Sequence, residues 1–400
     1  METSVVVAGG GPVGLLTALV LARRGIPVVL FEAADGVPRD QRAGTFHPPT
    51  LEMLESVGLA ADLLAMGIRV PVWQFRDRQE GILGEFDLGL LADETRYPFR
   101  FNCEQYKLSD LACAALKKEP KATVLFNTKV TGHAQDADGV EVHFEGPEGA
   151  GAVRGRYLVA GDGIRSTVRK GTSVQFPGFT WPERFLVFAT PHDLFQYGLT
   201  GSAYIADPQE FCGVFKQPHD GPPGIWRLAF PVAPETADET ALSDDYVQSR
   251  IRNFLSPDVE YEVMYRGVYR VHQRVASTFR EGRVLLAGDA AHVNNPIGGM
   301  GLNSGLHDAF NLADKLSEVI LDGAPQALLD LYDRQRRSAN IDYVQAQSIR
   351  NKQLLEERDP VVRRQRLDEI RAIAADPLRA KQHLMNTSMI ASVRHAAAIT

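Results

Sequence analysis

The sequence has few cysteines, no long apolar run and no excess of positive charge. Its three cysteines, Cys103, Cys113 and Cys212, have a spacing that matches neither a disulfide framework nor a C-x-x-C metal site. No segment approaches the ~20 apolar residues of a membrane helix, and the N-terminus lacks a secretory signal pattern. The net charge of −7 gives no overall attraction for nucleic acid or an anionic membrane. We therefore expect a cytoplasmic protein that binds no metal, nucleic acid or membrane.

The composition is that of an ordinary globular protein, with 44% hydrophobic and 23% charged residues. At roughly 150 residues per domain, the 400 residues predict two or three domains. Charge is unevenly distributed, because residues 331–400 carry a net charge of +5 and the remainder carries −12. We expect this C-terminal region to be helical and to pack on the body of the protein; an arm that binds a partner is the alternative.

The chain opens with a strand–helix–strand pattern. Residues 4–8 and 26–31 are short apolar runs typical of buried strands, and residues 13–24 place leucines at helical spacing. Farther along, residues 70–101 and 174–270 contain short alternating segments with Pro and Gly turns, which indicate antiparallel strands. The sequence therefore predicts an α/β protein with a second, strand-rich part.

A glycine fingerprint, Gly9-x-Gly11-x-x-Gly14, lies between the first strand and the helix, the context in which this motif binds a dinucleotide. The first glycine permits a tight turn, the second lets the backbone approach a pyrophosphate, and the third lets the helix pack on the strand. The phosphates would meet the positive end of the helix. Glu32 ends the second strand, where a carboxylate can accept hydrogen bonds from a ribose hydroxyl. A glycine turn that serves only packing is the alternative.

Two acidic-glycine turns follow apolar strands later in the chain. They are Asp162-Gly163 and Gly288-Asp289, and the second continues into the glycine-rich stretch 298–301 before a long helical pattern. Together with the N-terminal fingerprint, these turns resemble the three signatures of the class A flavoprotein monooxygenases, the p-hydroxybenzoate hydroxylase family. The resemblance covers about residues 1–330.

This resemblance implies an α/β fold in which a Rossmann-like FAD-binding domain carries an inserted mixed β-sheet substrate domain and a C-terminal helical segment. The implied FAD-binding domain comprises residues 1–72, 101–173 and 268–330, the substrate domain comprises residues 73–100 and 174–267, and the helical region comprises residues 331–400.

FAD is the cofactor that the resemblance implies. It places Asp289 beside a hydroxyl of the ribityl chain and the glycine-rich turn beside the flavin ring, where bare backbone N–H groups can approach closely. It also places Arg42 beside the FAD phosphates, although a plain surface arginine is the alternative. The residues that we expect to bind FAD are Gly9, Gly11, Gly14, Glu32, Arg42, Asp162, Gly163, Asp289, Gly299, Gly301, Leu302 and Asn303.

The expected substrate site follows from the same comparison. Tyr204 matches the family tyrosine that contacts the phenolic oxygen of the substrate, and a buried core tyrosine is the alternative. Pro296 matches a proline whose carbonyl lies near the flavin and the substrate ring, and we expect both residues to be catalytic. Phe215 and Gln217 fall where p-hydroxybenzoate hydroxylase has a serine and an arginine that hold the substrate carboxylate. Since Gln217 provides no cation, we predict a phenol or hydroxypyridine substrate rather than p-hydroxybenzoate. Trp226 is a further candidate for the apolar wall, and a core tryptophan is the alternative.

The implied reaction is hydroxylation of an aromatic ring. NADH or NADPH would reduce the FAD, O2 would form a C4a-hydroperoxyflavin, and its distal oxygen would attack the ring ortho or para to a hydroxyl. Two alternatives stay open: an FAD-dependent reductase or dehydrogenase without oxygen insertion, and a non-enzymatic flavin-binding protein. A halogenase is disfavoured, because Trp73, Trp181 and Trp226 do not form a W-x-W-x-I-P signature. The choice of nucleotide and the oligomeric state, a homodimer among the options, are not settled by the sequence.

Overall fold

The structure is a computed structural model, and it describes residues 2–39, 43–256 and 258–400. Its strands are β1 (Glu2–Ala8), β2 (Val28–Phe31), β3 (Thr45–Phe46), β4 (Ile68–Val70), β5 (Val72–Asp77), β6 (Gly81–Asp87), β7 (Arg100–Asn102), β8 (Ala122–Leu125), β9 (Lys129–Gln135), β10 (Val140–Gly146), β11 (Gly149–Ala160), β12 (Gly178–Thr190), β13 (Ser202–Ala206), β14 (Cys212–Gln217), β15 (Ile225–Val232), β16 (Tyr265–Val275), β17 (Arg280–Glu281), β18 (Val284–Leu286) and β19 (His292–Val293). Its α-helices are α1 (Pro12–Arg23), α2 (Pro48–Ser56), α3 (Ala60–Ala65), α4 (Gln105–Leu116), α5 (Thr167–Lys170), α6 (Asp238–Ala241), α7 (Asp244–Phe254), α8 (Met300–Leu321), α9 (Leu328–Ala339), α10 (Ala346–Glu356), α11 (Pro360–Ala375), α12 (Pro377–Thr387) and α13 (Ile390–Ala398).

The first sheet is built on parallel strands in the order β8-β2-β1-β11-β18. Antiparallel β17 adds an edge beside β18, and antiparallel β10 and β9 extend it beside β11. Val5, Val6 and Val7 are fully buried, which explains their continuous apolar run. The carboxyl ends of β1, β2, β11 and β18 meet at one edge, so the residues that follow them can form one site.

The second sheet has eight strands in the order β19-β16-β12-β15-β14-β13-β5-β6, and it is antiparallel except where β13 pairs with β5. Strand alternation gives it two different faces. One face packs Phe188, Trp226 and Phe230 into a core with α7. The opposite face carries Phe185 and Tyr204. A small third sheet has the strand order β3-β7-β4, and its strands alternate along the sequence with those of the two larger sheets.

The C-terminal region is helical and packs on the body, as expected. Helix α9 packs against α8, α11 against β6, and α12 against a 3-10 turn at residues 88–91. The uneven charge of the sequence is matched across this contact, because basic side chains of the tail pair with acidic side chains of the body. These pairs include Arg363 with Asp77, Arg371 with Glu80, Lys381 with Asp93, and Arg394 with Glu94.

The predicted fold class is therefore confirmed: a Rossmann-like α/β body, a mixed β-sheet part and C-terminal helices. The second sheet takes its strands from residues 72–87, 178–275 and 292–293, so β16 runs through the predicted boundary at residue 267. The exact division into domains stays a prediction. Among the described residues, no helix is both long and apolar enough to cross a bilayer.

Candidate active site

The three fingerprint glycines differ in what surrounds them. Gly9 has φ +102°, and a Cβ there would lie 2.4 Å from the carbonyl oxygen of Gly161. A Cβ on Gly14 would lie 2.0 Å from the carbonyl oxygen of Gly9, so helix and strand approach closely at this point. A Cβ on Gly11 would meet nothing within 4 Å, because Gly11 faces a large cavity. Gly9, Gly11 and Gly14 therefore lie in a turn, beside open space and at a close helix–strand contact respectively, which is the order of the motif.

Helix α1 points its N-terminus at the same cavity. Gly11 is its N-cap residue and makes no side-chain capping bond, and the first turn contains no acidic residue. Pro12 and Val13 line the cavity beside it. A helix start of this kind presents unpaired N–H groups and the positive end of the helix dipole to an anionic group such as a pyrophosphate.

Glu32 lines the cavity at the end of β2. One carboxylate oxygen, Oε2, accepts a hydrogen bond from Gly10 N at 2.6 Å, and Oε1 accepts one from Ala34 N at 2.8 Å. Two backbone donors therefore fix the carboxylate in position. Because an ionised carboxylate has about four acceptor sites, it retains the capacity to accept bonds from ribose hydroxyls.

Two further acidic residues lie at the ends of neighbouring strands. Asp162 follows β11 and lines the cavity; its Oδ2 accepts a hydrogen bond from Val168 N at 3.1 Å. Its Oδ1 is buried and has no hydrogen-bond partner among the described residues. Gly163 has φ +77°, and Asp289, just after β18, lines another part of the same cavity. No group of three or more His, Cys, Asp or Glu within the described ranges could hold a metal ion.

The glycine-rich turn before α8 closes the cavity from another side. The carbonyl oxygen of Pro296 accepts a hydrogen bond from Gly299 N at 3.0 Å, and Gly299 is the left-handed N-cap of α8 with φ +64°. Pro296, Gly299, Gly301 and Leu302 all line the cavity. A left-handed N-cap favours glycine, since other residues are strained in that conformation.

Asn303 is placed differently from its neighbours. Its Oδ1 accepts hydrogen bonds from His47 N at 2.8 Å and from Thr50 Oγ1 at 2.7 Å. Its Nδ2 donates to the carbonyl oxygens of Thr45 and Gly299 at 2.8 and 2.7 Å. The side chain is therefore fully used in joining the start of α8 to residues 45–50, and it does not line the cavity. Arg42, which we expect beside the FAD phosphates, lies outside the described residues.

The second sheet brings three of the four expected substrate residues to the cavity. Tyr204, Phe215 and Gln217 line it, and the rings of Tyr204 and Phe215 meet edge to face with centroids 5.6 Å apart. Gln217 donates from Nε2 to the carbonyl oxygen of Gly44 at 3.2 Å, while its Oε1 is buried without a partner among the described residues. Trp226 is not brought there. It lies on the far face of the sheet, because its pairing partner is Lys216 and not the cavity-facing Phe215.

Several wall residues were not predicted from the sequence. They are Phe185, Phe211, Arg227, Tyr269, Val271, Ile297 and Leu355. Arg227 pairs with Phe215 in the sheet, so strand alternation counted from Phe215 is the signal that could have identified it. Leu355 comes from α10 in the tail, where no local pattern indicates a role in the pocket.

Together these residues enclose a cavity of about 610 Å³ between the strand ends of the first sheet and one face of the second. The open backbone at Gly11, the helix N-terminus, the fixed Glu32 carboxylate and the unpartnered Asp162 Oδ1 fit the chemistry of a dinucleotide. The glycine turn at residues 298–301 fits a flat ring that approaches bare backbone. The residues present therefore fit FAD.

Comparisons with known proteins agree with this geometry. A family model described as an FAD-binding domain matches residues 2–347. The chain is 36% identical over 373 residues to the para-nitrophenol 4-monooxygenase of Pseudomonas sp. strain WBC-3, which covers 91% of this chain and 90% of that protein. It is 33% identical over 349 residues to the 6-hydroxy-3-succinoylpyridine 3-monooxygenase of Pseudomonas putida strain DSM 28022 / S16, which covers 86% of each. The crystal structure of the p-nitrophenol 4-monooxygenase of Pseudomonas putida DLL-E4 matches 98% of both chains with a TM-score of 0.93 and 32% identity.

Fold and site thus define a flavin-dependent oxidoreductase. The chain belongs to the class A flavoprotein monooxygenases, the family of FAD-dependent aromatic hydroxylases. The predicted enzyme class, an FAD-dependent aromatic hydroxylase, is therefore confirmed. Membership of this family confirms FAD as the cofactor, NADH or NADPH as the co-substrate, and hydroxylation of an aromatic ring with O2 as the type of reaction. The roles of the individual site residues stay predictions.

Proposed function

We propose that this enzyme hydroxylates a phenol or a hydroxypyridine in the part of the cavity that lies against the second sheet. The observation that carries the proposal is the placement of Tyr204 in an aromatic wall, with Phe185, Phe211 and Phe215, that is continuous with the FAD-binding part of the cavity. Such a wall fits a flat apolar ring, and the tyrosine hydroxyl supplies one directional polar contact. The para-nitrophenol 4-monooxygenase and the 6-hydroxy-3-succinoylpyridine 3-monooxygenase are named for substrates of these two classes.

Bound FAD supplies the transfer of reducing equivalents from NAD(P)H and the activation of O2. The protein positions the ring and excludes water from it. The Tyr204 oxygen accepts a hydrogen bond from Gly298 N at 2.8 Å, so its own O–H is available to donate to the substrate oxygen. Burial raises the pKa of Tyr204, although Arg100 and Gly298 N oppose the shift, and the hydroxyl therefore keeps its proton near neutral pH. Donation to the phenolic oxygen stabilises the substrate anion, which makes the ring carbons ortho and para to it richer in electrons.

The expectation that a carboxylate attached directly to the ring is disfavoured rests on Gln217, which is buried and donates to Gly44 O. A cation does lie in the same wall, since Arg227 pairs with Phe215 across β14 and β15. The substrate panel should therefore contain p-nitrophenol, 6-hydroxy-3-succinoylpyridine and p-hydroxybenzoate, each tested with NADH and with NADPH. We expect the first two classes to stimulate nucleotide oxidation more strongly than p-hydroxybenzoate.

The decisive experiment is oxygen insertion. The FAD-loaded enzyme is incubated with NAD(P)H, an accepted ring compound and ¹⁸O₂, and the product is analysed by mass spectrometry. One labelled oxygen atom in the product supports the proposal. Nucleotide oxidation without labelled product would favour a reductase, and bound FAD with no substrate-stimulated oxidation would favour a flavin-binding protein without this activity.

A cytoplasmic location and a homodimer belong to the same proposal. The three cysteines are all buried and unpaired, which suits a reducing compartment. Light scattering coupled to size-exclusion chromatography measures the mass of the FAD-loaded protein and so tests the homodimer directly.

A further inference from the structure

A second, much smaller cavity lies behind Tyr204 and is lined by a buried cationic side chain, Arg100. The cavity has a volume of about 30 Å³, and Tyr204 lines it as well as the large cavity. Arg100, on β7, also lines it and is 2% exposed. Its guanidinium lies over the indole ring of Trp73, with 4.4 Å between the guanidinium carbon and the ring centroid, and its Nε has no hydrogen-bond partner among the described residues.

No negative charge of the described residues balances this cation. The groups nearest to it are neutral: burial and the charge of Arg100 lower the pKa of His383 to about 4 and that of His47 to about 3. Burial also lowers the pKa of Arg100, to about 10, which leaves it charged near neutral pH. An unpaired buried charge is costly and is therefore found mainly where it serves a function.

Tyr204 lies between this cation and the substrate part of the large cavity. Its ring also meets the indole of Trp73 edge to face, with centroids 6.1 Å apart. A hydrogen bond from Tyr204 to the oxygen of a bound phenol would bring that oxygen near the field of Arg100. A positive charge held at low dielectric favours the ionised form of such an oxygen.

We propose that Arg100 is a positioning residue that stabilises the anion of the bound phenol from behind Tyr204. The inference rests on the proposed function. Other charged or titratable side chains also line the large cavity from the second sheet, and they are Arg227, Tyr269, Arg270 and His272. Of these, Arg227 is the competing source of positive charge, because it pairs in the sheet with Phe215, which contacts Tyr204.

The test uses a phenol whose anion absorbs visible light, p-nitrophenol, bound to the oxidised FAD-loaded enzyme without NAD(P)H, so that no turnover occurs. Titration of the bound absorbance gives the pKa of the ligand in the site. We expect the wild-type enzyme to hold this pKa below that of free p-nitrophenol. Arg100→Met is expected to raise it by about one unit or more, the size of effect that a nearby opposite charge produces, and Arg100→Lys is expected to restore most of the shift.

Lys216→Met is the matched control. Lys216 is also a buried cation beside an indole, 5.1 Å from the ring centroid of Trp226, but it lies on the far face of the sheet. This variant should leave the bound pKa unchanged. The pH profile of substrate-dependent NAD(P)H oxidation should move with the bound pKa in Arg100→Met and should not move in Lys216→Met.

Three results would overturn the inference. The first is a wild-type enzyme that binds p-nitrophenol with a pKa equal to or above the free value, a measurement that needs no variant to fold. The second is an equal shift in Arg100→Met and Lys216→Met. The third is a shift in Arg227→Met with none in Arg100→Met or Arg100→Gln. If no phenol binds at all and none stimulates NAD(P)H oxidation, it is the proposed function that fails.

Discussion

Arg336 donates from Nε to Oδ1 of Asp308 at 2.7 Å, and both side chains are buried. The other carboxylate oxygen of Asp308 accepts hydrogen bonds from Gly288 N at 3.0 Å and from His292 at 2.6 Å. Burial disfavours ionisation of Asp308, but His292 and Arg336 hold its pKa below the ordinary value. One carboxylate on α8 thus joins the tail helix α9 to the turn that carries Asp289.

Asp308→Asn is expected to destabilise the protein by about 3–5 kcal/mol, because it leaves Arg336 buried without its counter-charge. The free energy of unfolding from urea titration is the measurement. The same variant should weaken FAD binding, since the Gly288 turn loses an ionised acceptor. Asp314→Asn, at the solvent-exposed pair with Arg24, is the control and should leave both values close to wild type.

Gly11→Ala and Gly14→Ala are expected to separate cofactor binding from packing. A methyl group at Gly11 enters open cavity space, so the apoprotein should keep its melting temperature while the Kd for FAD rises by about tenfold or more, ~1.4 kcal/mol. At Gly14 the methyl group would collide with the carbonyl of Gly9, so this variant should lose thermal stability as well. Equal loss of stability in both variants would contradict the assigned roles.

Tyr204→Phe is expected to keep FAD and to lower the rate of ring hydroxylation by about 10²-fold, the lower end of the usual contribution of a proton-handling side chain. The loss is expected because the phenolic oxygen of the substrate loses its donor. Single-turnover kinetics of the reduced enzyme with O2 measures this step. If Tyr204→Phe hydroxylates the ring at the wild-type rate across the pH range, Tyr204 does not act as the hydrogen-bond donor to the substrate.

Trp226→Phe and Phe215→Leu are expected to act on different properties. Phe215 lines the cavity, so its replacement should raise KM for the ring compound several-fold. Trp226 is buried on the other face of the sheet, so its replacement should lower the melting temperature and leave KM close to wild type. A change in KM for Trp226→Phe alone would contradict the placement.

The burial of His47 leads us to expect that the free energy of unfolding falls in acid. Burial, with the charge of Arg100, lowers its pKa from 6.5 to about 3. Between these values the unfolded chain takes up a proton that the folded chain does not, so stability falls as the pH falls, by up to about 1.4 kcal/mol per pH unit. His47→Gln, which can still donate to Gly298 O, should flatten the dependence between pH 6 and pH 4 relative to a surface control, His143→Gln.

Much of the FAD-binding half could be read from the sequence because its determinants are local. Gly14 is required by its contact with Gly9 within one strand–turn–helix unit, and Gly9 has the positive φ of the turn itself. Asp162 and Asp289 closely follow short apolar strands. Leu355 could not be predicted, since it reaches the cavity through the packing of α10 against a strand about 150 residues earlier, where Asp207 N donates to its carbonyl oxygen at 3.0 Å. Trp226 shows the same limit, because a strand pattern alone does not say which face meets the ligand.

Arg100 was missed for a related reason. A single arginine in a short strand carries no sequence signal, and its significance comes from Trp73, Tyr204 and His383, which meet it from three other elements. Asn303 shows the opposite case, in which a sequence motif points to a residue whose side chain does not line the cavity. It belongs to a recognisable motif, but four hydrogen bonds to protein groups already occupy its amide.

Leu355 lies in the wall of the pocket but comes from a helix of the tail, so the residues that shape the ring-binding part and those at the strand ends beside the flavin belong to different parts of the chain. Substitutions in α10 can resize the chamber for a new ring while every strand end around the flavin stays as it is. Solvent-accessible charge pairs tie neighbouring helices of the tail to the β5–β6 hairpin and to the turn that follows it. Exchanging this carboxyl-terminal segment between homologues, together with the facing acidic side chains, therefore offers a direct route to altered ring preference.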